Sequence, residues 1–105
     1  MATLDLSTMT AIAATENVLE GRWVSVGGAI RADEVALRIQ RLIESHLKFV
    51  ASRENGWTKL YRDPTDGRYW ELSYPSSEMH GGGPPKLETL SLVSVTSKYG
   101  NVAEV

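Results

Sequence analysis

The chain has 105 residues, 42% of them apolar and 23% charged, a formal net charge of −2 and no cysteine. That length suits one domain burying roughly two-thirds of its unfolded surface, the charge supplies no basic field for a phosphate backbone, and the lack of thiols excludes disulfides, thiolate nucleophiles and thiolate metal sites. No apolar run approaches the roughly 20 residues that cross a bilayer, so neither nucleic acid nor a membrane is an expected partner.

Residues 1–20 are small and polar, with scattered Leu6, Ile12, Val18 and Leu19. They read as an N-terminal arm whose weak period permits a short helix. Asp5, Glu16 and the absence of a basic leader argue against a secretory signal, and the expected location is the cytoplasm. The core is expected over 21–95. It opens with Arg22-Trp23-Val24-Ser25-Val26, then Gly27-Gly28, then Ala29-Ile30-Arg31-Ala32. A Gly-Gly pair accepts the positive φ of a two-residue turn, so two short antiparallel strands are expected.

From Asp33 the apolar period changes from two to about 3.6. Asp33 is a good N-cap, Glu34 suits the positive end of the helix dipole, and no Gly or Pro intervenes before Gly56. Val35, Ile39, Leu42, Ile43, Leu47 and Val50 would form one apolar face of a long helix. Two strands follow, Trp57–Arg62 and Arg68–Tyr74, joined by Asp63-Pro64-Thr65-Asp66-Gly67, where Pro64 presets φ and Gly67 accepts the left-handed position. Pairing symmetric about this loop would set Leu60 opposite Trp70 and Arg62 opposite Arg68, a like-charge contact that costs energy. Lys86–Val95 reads as a last strand and 96–105 as a tail without clear period. The order ββαβββ predicts one α+β domain, a mostly antiparallel sheet of about five strands on one long helix.

Between the last two strands lies Ser77-Glu78-Met79-His80-Gly81-Gly82-Gly83-Pro84-Pro85. A phosphate loop would need a Lys-Ser/Thr pair and a following helix, and here two prolines and a strand follow instead. A metal site could draw on His80 with Glu78, Glu71, Asp63 or Asp66, but two histidines in the whole chain are sparse for three protein ligands. A triad of Ser76 or Ser77, His80 and Asp66 lacks the strained turn that presents a nucleophile. No cofactor and no catalytic residue is therefore expected, and two readings of the segment remain: a crossover whose glycines allow close backbone passage, and a recognition loop offering N–H and C=O groups to a partner. The functional alternatives are a small ligand- or metal-binding domain or enzyme using His80 and nearby carboxylates, and a homo-oligomer formed through an exposed strand.

One set of residues points further. Gly21-Arg22-Trp23, Asp33, Arg38-Ile39, Gly56-Trp57, Leu60-Tyr61-Arg62-Asp63-Pro64, Asp66-Gly67-Arg68, Trp70-Glu71-Leu72, Tyr74-Pro75, Ser77-Glu78, His80 and the run GGGPPKL, in that order across residues 20–92, resemble the immunity protein 27 family of bacterial polymorphic toxin systems. The resemblance implies a cytoplasmic, non-catalytic protein without cofactor, monomeric when free, whose partner is a cognate toxin that it neutralises. Carried onto positions expected to be polar or exposed, it nominates Asp63, Asp66, Arg68, Glu71, Glu78 and His80 as partner-binding residues, with Gly81, Gly82 and Gly83 supplying backbone.

Overall fold

The computed structural model describes residues 11–76 and 83–101. In chain order they form β1 (Val18–Glu20), β2 (Trp23–Val26), β3 (Ala29–Ala32), α1 (Glu34–Ser45), β4 (Lys48–Arg53), a 3-10 turn (Glu54–Gly56), β5 (Thr58–Arg62), β6 (Tyr69–Ser73), β7 (Lys86–Leu90) and α2 (Leu92–Tyr99). The class is α+β. One antiparallel sheet has the order β1-β7-β6-β5-β4, and among the described residues β2 pairs only with β3 in a separate two-stranded ribbon. Among the described residues no helix is long and apolar enough to cross a membrane.

α1 starts where its sequence says, because Asp33 Oδ1 accepts the Ala36 N–H at 2.8 Å and satisfies a first-turn donor. It stops earlier than the uninterrupted period suggests. The His46 and Leu47 N–H groups both donate to the Leu42 carbonyl, and His46 Nε2 donates to Asp63 Oδ1 at 2.9 Å. That contact fastens the corner to the β5–β6 turn, so Lys48–Arg53 leaves the helix and pairs with β5. Strand pairing here overrides a helical period that no Gly or Pro interrupts.

The β5–β6 register differs by one residue from the symmetric expectation: Asp63 N–H donates to the Arg68 carbonyl, and the pairs run Arg62↔Tyr69, Tyr61↔Trp70, Leu60↔Glu71. Arg62 therefore faces Tyr69, and the anticipated arginine clash does not arise. A slip of one residue exchanges faces, which puts Tyr61, Trp70, Leu72 and Leu87 together under α1 with Ile39 and Leu42. Leu60 looks the other way, packing with Val95 and Tyr99 of α2. Each of the fully buried aliphatic side chains among these, Ile39, Leu42, Leu60, Leu72, Leu87 and Val95, contributes about 1.5–3 kcal/mol of transfer free energy.

Residues 91–99 were expected to continue a strand and begin an aperiodic tail. Instead Ser91 Oγ accepts the Ser94 N–H at 3.1 Å and caps α2, which covers the second face of the sheet. Part of the N-terminal arm is an edge strand as well, since Leu19 of β1 pairs with Leu87 and is buried with the α1-side core. The sheet thus has two dissimilar ends. The β5–β6 turn, the His46 corner and the start of α2 share one. The 54–57 turn, the Ser76/Gly83 junction and the β2–β3 ribbon share the other, and a five-residue strand of about 17 Å separates them.

Candidate functional site

The nominated residues that are described lie at the β5–β6 turn, in the middle of β6 and, for Gly83, at the opposite end of the sheet. At the β5–β6 turn, Asp63 is completely buried. Its Oδ1 accepts from the Thr65 N–H at 2.8 Å and from His46 Nε2, closing the turn and holding the α1–β4 corner. Asp66 is exposed and accepts from the Arg68 N–H at 3.0 Å and from Arg68 Nε at 2.6 Å. Partial desolvation would raise its carboxyl, but the backbone and guanidinium bonds from Arg68 outweigh that and leave it below the usual carboxylate range.

Arg68 is a staple. Its Nη1 donates to the Glu16 carbonyl at 2.6 Å, its Nη2 to the Ala13 carbonyl at 3.0 Å, and the guanidinium lies 5.0 Å from the Trp70 ring centroid. The segment it clasps is fixed a second time, because both nitrogens Nη1 and Nη2 of Arg38 bond the Glu16 carboxylate at 2.7 Å. Those bonds hold the Glu16 carboxyl down at about 2, against a smaller opposing effect of burial.

Glu71 is also inside the fold. Its Oε2 accepts from the Tyr99 hydroxyl at 2.7 Å and pairs with Lys98 Nζ at 2.9 Å, which pins α2 to the sheet. Burial, then the negative Glu71, push the Tyr99 hydroxyl up to about 12.

At the other end only Gly83 of the glycine run lies among the described residues; Glu78, His80, Gly81 and Gly82 lie outside them. Gly83 has φ +76° and is buried, and a Cβ there would overlap the Ser76 carbonyl. The close backbone passage expected of this run is therefore found at Gly83. Of the nominated set, Asp66 alone among the described residues is an exposed residue, though its side chain is partly covered by Arg68, while Asp63, Arg68 and Glu71 are engaged in joining elements of the fold.

The Gly83 end exposes apolar surface, including Trp57, whose place at a strand beginning leaves core edge and interface anchor both open from sequence. Trp57 is 50% exposed and meets Tyr74 edge to face, with ring centroids 5.8 Å apart. Glu54 and Asn55, just before it, both carry positive φ, 55° and 56°, a conformation that costs about 1–2 kcal/mol per non-glycine residue. On the ribbon, Val24, Val26 and Ile30 are exposed. The alternation of 23–26 was the available signal, but alternation does not say whether a face is covered. A cleft of about 100 Å³ between ribbon and body, lined by Trp23, Ala36, Ile39, Leu72 and Pro85, is well below the roughly 300 Å³ of small-molecule sites. Among the described residues no three His, Asp or Glu side chains group so as to hold a metal.

The family model described as Immunity protein 27 matches residues 25–91, from β2 to the α2 cap. No curated protein and no solved structure matches the chain.

Proposed function

This chain belongs to the immunity protein 27 family, and from that membership we propose that it binds and neutralises a cognate bacterial toxin in the cytoplasm of the cell that makes both. The observation that carries the reading is the extent of the family match, well over half of the chain and all of the helix, β4, β5, β6 and β7. The protein acts as a stoichiometric monomeric inhibitor, breaking and making no covalent bond. Its described part suits this role, since helices cover both faces of the sheet while Arg38 and Arg68 stitch it to the segment around Glu16, so a partner that meets this part finds it already ordered and loses little entropy on binding. Neutralisation at cellular concentrations asks for a nanomolar complex, about −12 kcal/mol, through an interface on the order of 800 Å² per partner.

In this reading Asp66, Glu78 and His80, with the backbone of Gly81 and Gly82, make polar contacts to the toxin, and the buried Gly83 anchors the segment. Asp63, Arg68 and Glu71 serve by fixing the surfaces around them. Coexpression with the product of the adjacent upstream reading frame tests the proposal: a copurifying one-to-one complex and restored growth of cells expressing that product are expected, with weaker binding in Glu78→Ala or His80→Ala. A folded protein that forms no complex and gives no protection would sink it.

A further inference from the structure

The β2–β3 ribbon is one of the parts of the described fold that expose apolar side chains, as the Leu92–Val93 face of α2 also does, and it alone of these two sets them between arginines. Its register, Trp23↔Ala32, Val24↔Arg31, Ser25↔Ile30 and Val26↔Ala29, sorts the side chains onto two faces. Trp23 and Ala32 turn toward α1 and line the cleft with Ala36 and Ile39. Strand alternation then turns Arg22, Val24, Val26, Ala29 and Arg31 away from the body, and all five are exposed. The ribbon is held at its base, where the Asp33 N–H donates to the Arg22 carbonyl at 2.9 Å and the Gly21 N–H to the Pro85 carbonyl at 2.8 Å. A Cβ on Gly21 would lie 2.8 Å from the Ala36 side chain, so the base packs closely on α1. Beyond it, Ile30 is 75% exposed at the start of β3.

A two-stranded ribbon alone is marginally stable in water, and valines on its free face gain nothing from solvent. The charges are as telling. Residues 21–32 carry Arg22 and Arg31 and no carboxylate, within a chain of net charge −2, and neither arginine makes an ion pair or side-chain hydrogen bond among the described residues. Valines in the middle with unpaired guanidinium groups at the rim have the anatomy of a protein interface, an apolar centre bordered by charge.

Resting on the toxin-binding reading above, we infer that the outward face of the β2–β3 ribbon, Arg22, Val24, Val26 and Arg31, is a docking surface for the toxin, which meets it with an apolar patch bordered by carboxylates. The guanidinium groups supply planar forks for those carboxylates, and the valines exclude water between them. The ribbon leaves the sheet at the end where Ser76 meets Gly83, so a toxin seated on it also reaches the junction from which the Glu78–Gly82 segment departs.

The test titrates the toxin domain of the adjacent upstream reading frame, carrying an inactivating substitution, against the full-length chain and three variants. Val26→Asp is expected to weaken binding on the order of 100-fold. Arg31→Glu should weaken it about tenfold, mainly through slower association, and flatten its salt dependence. Val93→Asp, on the exposed side of α2, should bind like wild type. Should Val26→Asp fail to fold, Arg31→Glu decides the matter, since that side chain makes no ion pair or hydrogen bond among the described residues. Ribbon variants that fold normally and bind within threefold of wild type overturn the docking assignment alone, whereas a wild-type chain that does not bind overturns the toxin reading itself. A change of the free protein from dimer to monomer in Val26→Asp would assign the face to a second copy and likewise overturn the inference.

Discussion

The β5–β6 and β2–β3 hairpins are built from similar strands and end in opposite circumstances. In the first, the turn is crowded with Asp63, Asp66 and Arg68, and their polar groups are largely spent inside the molecule, on His46, on Thr65, and on carbonyls of residues 13 and 16. The second has a plain Gly-Gly turn, two arginines that make no ion pair among the described residues, and exposed valines. The contrast teaches that a charged side chain is a poor marker of a recognition surface until its partners are known. A cluster of charges in a tight turn often satisfies itself, and a free surface can be written in residues that look like ordinary strand.

The comparison breaks most visibly at Asp63. Asp63→Ala leaves the Thr65 N–H and His46 without their acceptor and loosens the corner at which α1 gives way to β4; the cost is about 3 kcal/mol. Urea unfolding should show the midpoint falling with little change in slope. A loss below about 1 kcal/mol would mean the turn is not stitched as described. Next in size is Gly83→Ala, where positive φ and overlap with the Ser76 carbonyl together cost roughly 2 kcal/mol. Its unfolding midpoint should fall without abolishing the sheet's circular dichroism.

Much of this contrast was written in the sequence and some was not. The start of α1 was readable because a single cap residue precedes a clean period. The existence of the β5–β6 hairpin was readable from Asp63-Pro64 and Gly67. The end of α1 was not, because Leu47 and Val50 continue the helical phase and the cause of the break is the long-range His46–Asp63 contact. The register was missed by one residue because the loop closes between Asp63 and Arg68, four residues rather than five intervening. Ser91 hid as a helix cap among Leu90, Leu92, Val93 and Val95, whose β-branched members argue for strand. For the candidate site, residue type located Asp66 in solvent and misjudged the surroundings of Asp63 and Glu71, since burial depends on which elements fold over them.

A smaller effect sharpens the stitched side through pH. The folded Glu16 carboxyl sits at about 2 against an ordinary value of 4.5. A depressed folded value contributes stability that is complete above the unfolded value and is lost as pH falls, here from about 4.5 toward 2. Glu16 is partly exposed, so screening reduces the contribution to on the order of 1 kcal/mol. Wild type should therefore lose more stability between pH 6 and pH 2.5 than Glu16→Gln does; parallel acid profiles for the two proteins would remove the Glu16–Arg38 clasp as a stabilising contact.

The smallest expected effect is the most discriminating. Arg31→Glu removes no ion pair among the described residues and leaves the valines in place, so its unfolding midpoint should match wild type within about 0.5 kcal/mol, as exposed substitutions away from caps and networks generally do. If the free protein used the ribbon as part of its own core, reversing a charge beside Val24 would register there, and the two hairpins would be alike after all. A variant that is silent in unfolding yet weakened in binding the toxin separates the part of this chain that holds it together from the part it holds out to a partner.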